Sequence, residues 1–314
     1  ISSASVQIRD LARELVKQGH QVTLITPGTC FGLKQFSQMD GFDILSIRMA
    51  TIKGAKNGTR LLREILMPWI MLFSLRRSSL SNQKWDGVIW YSPSIFLGPF
   101  IWYLKKKSNC RSYLILRDVF PDWALELGLL NRGPLYIFLK VQAYLQYFAA
   151  DVIGIQSPGN LRYFKKIKSI NNRLKVLPNW LGQSGGDECP INISASLLNG
   201  CKIYIHAGNI GVAQDPMIVL QLAQRLQNLD DVGFVFVGNG SKLEELKKFT
   251  IQHSIKNVLF FDEIHPDTIP HLYSQCHAGI VSLSQKHRSH NIPGKFLSYM
   301  QSGLPCFAIL NKGN

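Results

Sequence analysis

The chain has 314 residues, 46% hydrophobic and 18% charged, which suits about two domains and argues against a disordered polymer. Its six cysteines, at 30, 110, 189, 201, 276 and 306, form no CxxC pair; this speaks against a zinc ribbon or dithiol redox site and for reduced, mostly buried thiols of a cytosolic protein. The net charge of +15 is uneven: residues 1–180 hold 25 Lys and Arg against 10 Asp and Glu, whereas residues 181–314 hold 10 of each. The basic part implies an anionic partner, whether nucleic acid, acidic lipid or a phosphorylated substrate.

The chain opens at Ile1 with the polar run Ser2-Ser3-Ala4-Ser5 and closes at Asn314 just after an apolar run, so both ends read as cut, with a first strand and some terminal helices missing. Val6, Leu11, Leu15 and Val16 recur at helical spacing over 6–17, and Gly19 ends that helix. Strands are predicted at 21–25 and 44–48, a helix near 61–75, a strand at 88–91, a helix over 95–104 and a strand at 112–116. The 18 uncharged residues 87–104 reach the lower limit for a membrane span, but Pro93 and Pro99 favour strand, loop and helix. A helix over 136–149, a strand at 152–155, a helix from Ser157 and a strand at 175–177 follow.

Residues 178–199 break the alternation with Gly182, Gly185, Gly186 and Pro190. The rhythm restarts with strands at 202–206, 233–237, 258–261, 279–282 and 305–309, and helices at 216–227, 241–253, 268–273 and 294–301. Wholly apolar strands alternating with helices imply parallel sheets covered on both faces. The expected architecture is α/β: two doubly wound Rossmann-like domains facing across a cleft, the first at 1–180, a linker at 181–199 and the second, truncated, at 200–314. Ligands of such sheets lie beyond the carboxyl ends of the strands.

Three clusters stand at those ends. Strand 202–206 runs into Ala207-Gly208-Asn209-Ile210-Gly211, and strand 233–237 into Gly238-Asn239-Gly240. Glycines admit a close ligand such as a phosphate, although a tight βα turn needs them as well. The run Lys286 to Lys295 is the most polar of the second half; Arg288 and Lys295 could neutralise a diphosphate and His290 could donate to it, against the alternative of a solvated loop. Strand 112–116 delivers Arg117-Asp118 and, further on, Asp122. This pair suits catalysis or a structural ion pair about equally. Asp118 and Asp122 lack a third acidic partner, so no metal is expected. Finally, Trp69, Ile70, Met71, Leu72 and Phe73, bracketed by Arg60, Arg63, Arg76 and Arg77 and accompanied by Lys53, Lys56, Lys84 and Lys105–Lys107, suit an anionic bilayer surface, a core helix with basic ends being the alternative.

GNIG, GNG and the run from Pro293-Gly294-Lys295 to Ser298-Tyr299-Met300-Gln301-Ser302-Gly303-Leu304-Pro305, with Arg117–Trp123 and Leu177-Pro178-Asn179-Trp180, resemble glycosyltransferase family 4 of GT-B fold. The likeness is to its bacterial polysaccharide-assembly members of the WbuB-like N-acetylfucosaminyl transferase type. The resemblance implies retaining, metal-free, cofactor-free transfer from a UDP-sugar to a saccharide on a polyprenyl diphosphate, in O-antigen, capsule or exopolysaccharide assembly, at the inner face of the cytoplasmic membrane. It makes residues 1–180 the acceptor-binding domain and residues 200–314 the nucleotide-sugar-binding domain, and it implies donor contacts at Gly208, Asn209, Gly211, Gly238, Asn239, Gly240, Glu263 and Ile264; with it, Arg288, Lys295 and Ser298 are expected at the donor, Asp118, Arg117 and His290 in catalysis, and Ser2, Ser3 and Ser5 at the acceptor. The family's paired glutamates fall at His290 and Ser298, its diphosphate lysine near Gln214, its catalytic histidine at Arg117 and its leading glycines at Ser2, Ser3 and Ser5. Two other readings stand beside it: a GT-B-like UDP-sugar 2-epimerase, which needs no basic apolar surface, and a non-enzymatic binder of anionic polymers, for which no nucleic-acid module is present.

Overall fold

The structure, a computed structural model, describes residues 3–28, 36–50, 57–92, 94–165, 167–182, 185–286 and 292–311, with the backbone alone at Ser3, Phe36 and Asn57. The chain divides into two compact units, residues 7–178 and residues 1–6 with 179–314.

In the first unit, strands β1 (Thr23–Gly28), β2 (Phe36–Met39) and β3 (Phe42–Arg48) form a sheet of order β1-β3-β2. β1 and β3 are parallel, but β2 and β3 make an antiparallel hairpin. Asp40 and Gly41 both take positive φ in its two-residue turn, the geometry whose twist matches paired strands. The expectation of purely parallel pairing fails here because this Asp-Gly turn reverses the chain. A second sheet, β4 (Gly87–Tyr91), β5 (Arg111–Leu116), β6 (Val152–Ile155) and β7 (Leu174–Val176), is parallel throughout in the order β4-β5-β6-β7.

The helices of this unit are α1 (Ser3–Lys17), whose first residues count with the other unit, α2 (Asn57–Arg77), α3 (Gly98–Ser108), α4 (Asp122–Glu126) and α5 (Pro134–Ala149). α3 and α5 start at Gly98-Pro99 and Pro134, where proline's missing N–H costs nothing. Leu45, Ile47, Leu114 and Ile153 meet Met71, Leu75, Leu104 and Ala143 in one core. A Cβ at Gly98 would lie 3.1 Å from the α5 backbone at Leu145 and Gln146, so this glycine lets α3 and α5 touch. The helix expected from Ser157 is a pair of 3-10 segments, Pro158–Tyr163 and Lys168–Arg173. Among the described residues no helix is long and apolar enough to cross a membrane.

The second unit is a five-stranded parallel sheet of order β10-β9-β8-β11-β12, made of β8 (Lys202–Ala207), β9 (Val232–Val237), β10 (Val258–Phe261), β11 (Ala278–Ser282) and β12 (Cys306–Ile309). Helices α6 (Met217–Arg225), α7 (Leu243–Gln252), α8 (Ile269–Tyr273) and α9 (Gly294–Gln301) connect them, and two apolar clusters hold the unit together. The chain leaves β8 toward β9 and β10, then returns to β11 on its other side, which puts the topological switch point at the carboxyl end of β8.

The segment 181–199 is not a free linker. Ile191, Ile193 and Leu198 are buried beside Ile203 and Leu272, and the Ile193 N–H donates to Gln275 Oε1 at 2.8 Å. Gln275 Nε2 donates to the Ile191 carbonyl at 2.9 Å, and the Cys189 N–H to His271 Nδ1 at 2.9 Å. The polar composition of this segment concealed three aliphatic side chains that complete the second core.

Candidate functional site

In the second unit the two glycine turns form one object. The Gly208 N–H donates to the Val237 carbonyl, the Ile210 N–H to the Asn239 carbonyl, and the Lys242 N–H to the Ile210 carbonyl, at 2.8, 3.0 and 3.0 Å. A Cβ on Gly238 would sit on the Gly208 carbonyl oxygen, and one on Gly240 on the Ile210 carbonyl oxygen. Gly238 also has φ +132° and Gly208 φ +108°. Gly238 and Gly240 are therefore required by the contact between the two turns, and Gly208 by its backbone conformation, before any ligand is considered. Asn209 donates its side-chain amide to Gln214 Oε1 at 3.0 Å, beside Gly211. Gln214, where a diphosphate lysine was looked for, thus braces the turn.

α9 brings Lys295 to the same place. Tyr299, fully buried, donates its hydroxyl to the Ile205 carbonyl and accepts from the Ala207 N–H, both at 3.1 Å, and lies against Gly279. One turn earlier on the same helix face stands Lys295. Its Nζ is 3.0 Å from Nε2 of buried His206, and its Cε lies beneath Gly208. Burial holds the Lys295 amine down to about 7. Burial, then the nearby Lys295, keeps His206 well below the usual imidazole range, against an opposing backbone contact from Asn209. His206 is thus neutral, and its Nε2 can accept a hydrogen bond from the lysine.

The other expected donor residues divide. Glu263 is exposed just beyond β10, while Ile264 packs onto the core cluster that holds Leu272 and Tyr273. The Ser298 side chain is hydrogen-bonded to Tyr273. Arg288 and His290 lie outside the described residues.

In the first unit, Arg117 and Asp118 follow β5 as expected but behave differently. Arg117 is 7% exposed; its guanidinium donates to the carbonyls of Leu177 at 2.7 Å and Pro178 at 3.3 Å and is hydrogen-bonded to Tyr91. That is the environment of a structural latch at the last residues of the unit, and the catalytic role expected of Arg117 has no support in it. Burial lowers its pKa, partly opposed by Tyr91, Tyr113 and Asp118. The Tyr91 hydroxyl donates to Gln7 Oε1 at 2.8 Å, and burial pushes it up to about 12. Asp118 is half-buried; desolvation raises its carboxyl to about 6, with Arg117 pulling the other way. Such a group can accept a proton near neutral pH. Asp122 is engaged with Tyr136 at 3.0 Å and Lys140 at 2.5 Å, which ties α4 to α5.

Ser5 is exposed in the first turn of α1 rather than in a loop before it; Ser2 and the Ser3 side chain lie outside the described residues. Among the described residues no group of three or more His, Cys, Asp or Glu is placed to hold a metal ion. His206, Gln7 and Tyr91 were not singled out from the sequence, because each reads there as one more residue of a strand or helix.

Residues 193–314 match the sequence profile of the family Glycosyl transferases group 1. The chain is 24% identical over 240 residues to the Escherichia coli K12 protein named as the colanic acid biosynthesis glycosyl transferase WcaI, covering 71% of this chain and 58% of that one. It is 21% identical over 248 residues to the Pseudomonas aeruginosa protein named as glycosyltransferase WbjE, covering 77% and 61%. The chain thus spans about three fifths of the length of these relatives. Among solved structures, WaaG, a glycosyltransferase involved in lipopolysaccharide biosynthesis, superposes with a TM-score of 0.62 at 13% identity, covering 98% of this chain and 78% of that one. Anabaena HepE in complex with UDP and glucose gives 0.57 at 14% identity, covering 84% and 66%. The chain has the fold of GT-B glycosyltransferases, and its residues 193–314 match the glycosyl transferases group 1 profile.

Proposed function

We propose that this protein is a retaining glycosyltransferase of bacterial surface-polysaccharide assembly. It takes a sugar from a UDP-sugar and places it on a saccharide carried by a polyprenyl diphosphate at an anionic membrane surface. The observation that carries the reading is the Lys295 amine beneath the Gly208 turn, at the switch point of the sheet and inside the group 1 domain. A cation beside a glycine turn suits a diphosphate. HepE, crystallised with UDP and glucose, and the relatives named for colanic acid and lipopolysaccharide biosynthesis support the donor and product classes. Asp118 acts on the acceptor hydroxyl, orienting it or taking its proton as the new bond forms. Transfer runs on the protein's own residues, with no metal or cofactor.

The test is mass spectrometry of products from the full-length enzyme supplied with a panel of UDP-sugars, N-acetylated deoxyhexosamine donors among them, and lipid-diphosphate acceptors. A mass increment of one sugar on the acceptor, unchanged by EDTA, is expected. Transfer lost in EDTA and restored by Mg²⁺ or Mn²⁺ removes the metal-free mechanism. Interconversion of UDP-sugars without transfer makes the protein an epimerase.

A further inference from the structure

α5 is apolar on both sides, which a helix at a water-exposed surface ordinarily is not. Its inner face, Leu139, Ala143 and Tyr147, is buried in the core of the first unit. On the opposite face Ile137, Phe138, Val141, Leu145 and Phe148 are exposed, Ile137 by 62%. α2 repeats the pattern: Met67, Met71 and Leu75 point inward while Leu62, Leu66, Trp69 and Phe73, at spacings of four, three and four, are exposed, Trp69 by 57%. Right-handed crossovers put α3 and α5 on one face of the sheet β4-β5-β6, and α3 packs against both α2 and α5. α3 turns Trp102 and Lys106 outward.

Charge decides what this layer meets. α2, α3 and α5 together hold one acidic residue, Glu64, and Arg60 engages it at 2.9 Å. Arg77 lies over the Phe73 ring at 3.9 Å and Lys106 over the Trp102 ring at 4.2 Å, so cations stand at the same level as the exposed aromatics. Lys105 and Lys107, expected at a bilayer, are held instead by Asp151 and the Ser81 carbonyl. Two copies of so basic a layer would repel one another, whereas aromatic rings interleaved with cations match the interface of an anionic bilayer.

We infer that the outer faces of α2, α3 and α5 form one docking surface for an anionic lipid bilayer, with Ile137, Phe138, Val141, Leu145 and Phe148 of α5 extending the apolar face of α2. This deepens the membrane part of the reading above and names a helix that the sequence pattern left out. Apolar insertion makes binding only partly sensitive to salt, while Arg77 and Lys106 make it favour anionic lipid.

The test is sedimentation of the full chain with vesicles of neutral phosphatidylcholine and with vesicles containing phosphatidylglycerol. Wild type binds the anionic vesicles and detaches only in part at high salt. Ile137→Ser with Phe148→Ser lowers partitioning by at least about tenfold, while UDP affinity and the thermal unfolding midpoint stay as in wild type. Because that pair of substitutions could perturb folding, wild type is also titrated with vesicles of bromine-labelled lipid, which quench tryptophans inserted among them. Quenching that is reduced in Trp69→Phe and in Trp102→Phe supports the surface. Unquenched tryptophans, or α5 variants that bind like wild type, overturn it. So does a vesicle-independent dimer that the α5 variants dissociate. Retained UDP binding and sugar transfer beside any of these outcomes leave the transferase reading standing.

Discussion

Nζ of Lys295 and Nε2 of His206 stand 3.0 Å apart beneath the Gly208 turn, a lysine offered to a neutral imidazole. No carboxylate takes part in that contact, so the amine is left for an arriving anion to pair with. Cys306 also favours the charged form, whereas burial opposes it more strongly. The amine is thus charged below about pH 7 and neutral above it when the site is empty.

For Lys295 the expectation is that the alanine variant weakens UDP binding by roughly ten- to a hundredfold, the range of one charge-assisted hydrogen bond. Calorimetry at pH 8 in buffers of different ionisation enthalpy should show proton uptake as UDP binds to wild type and none in the variant. A folded-state pKa below the unfolded value makes stability rise with pH from about 7 toward the ordinary lysine range. Lys295→Met should flatten that rise in unfolding midpoints. Unchanged UDP affinity would take Lys295 out of the donor site.

Asp118→Asn should abolish transfer and leave UDP affinity intact, since the group 1 domain lies in the other unit. Wild-type turnover should climb through about pH 6 as the carboxyl ionises and then level off. The sign for stability is the reverse: a raised carboxyl favours the fold below its folded pKa and loses that contribution as pH rises through about 6. The asparagine variant should therefore unfold a few degrees higher than wild type at pH 8. Near-normal turnover in this variant would make the residue peripheral.

Arg117→Met should cost about 2–4 kcal/mol in denaturant unfolding, because the carbonyls of Leu177 and Pro178 lose a buried charged donor. An unfolding midpoint equal to wild type, with transfer abolished, would return Arg117 to the chemistry.

Gly238→Ala should destabilise the second unit by roughly 2–5 kcal/mol, from positive-φ strain and the clash with the Gly208 carbonyl. UDP binding should fall with it, because the two turns move together. A soluble variant with wild-type stability would show that the contact between the turns can relax.

Much of this architecture was legible in one dimension. β9 is buried at all six positions and reads as an unbroken apolar run; α9 is bounded at Gly294 and Gln301 as its pattern predicts. The alternation of such runs fixes an α/β class because each strand needs cover on both faces. Asp40-Gly41 carried a hairpin signal as well, but Phe36–Met39 is too short and too polar to announce a strand. The segment 185–199 went the other way: its turn-forming composition says loop, while Ile191, Ile193 and Leu198 find partners only once α8 and β8 are assembled.

The site divides along the same line. Chain order alone put glycine turns after β8 and β9, the Arg-Asp pair after β5 and a basic excess in residues 1–180. Which groups are free to act depended on contacts between positions far apart in the chain. Arg117 is bound 60 residues away, at Leu177, and Lys295 reaches His206 because Tyr299 pins α9 to β8. The outer face of α5 is apolar in the sequence too, but an all-apolar helix is ordinarily buried, and its exposure became visible only when the layer beside α3 was in place. Periodicity records which side chains must leave water; which partner each one meets is settled by packing.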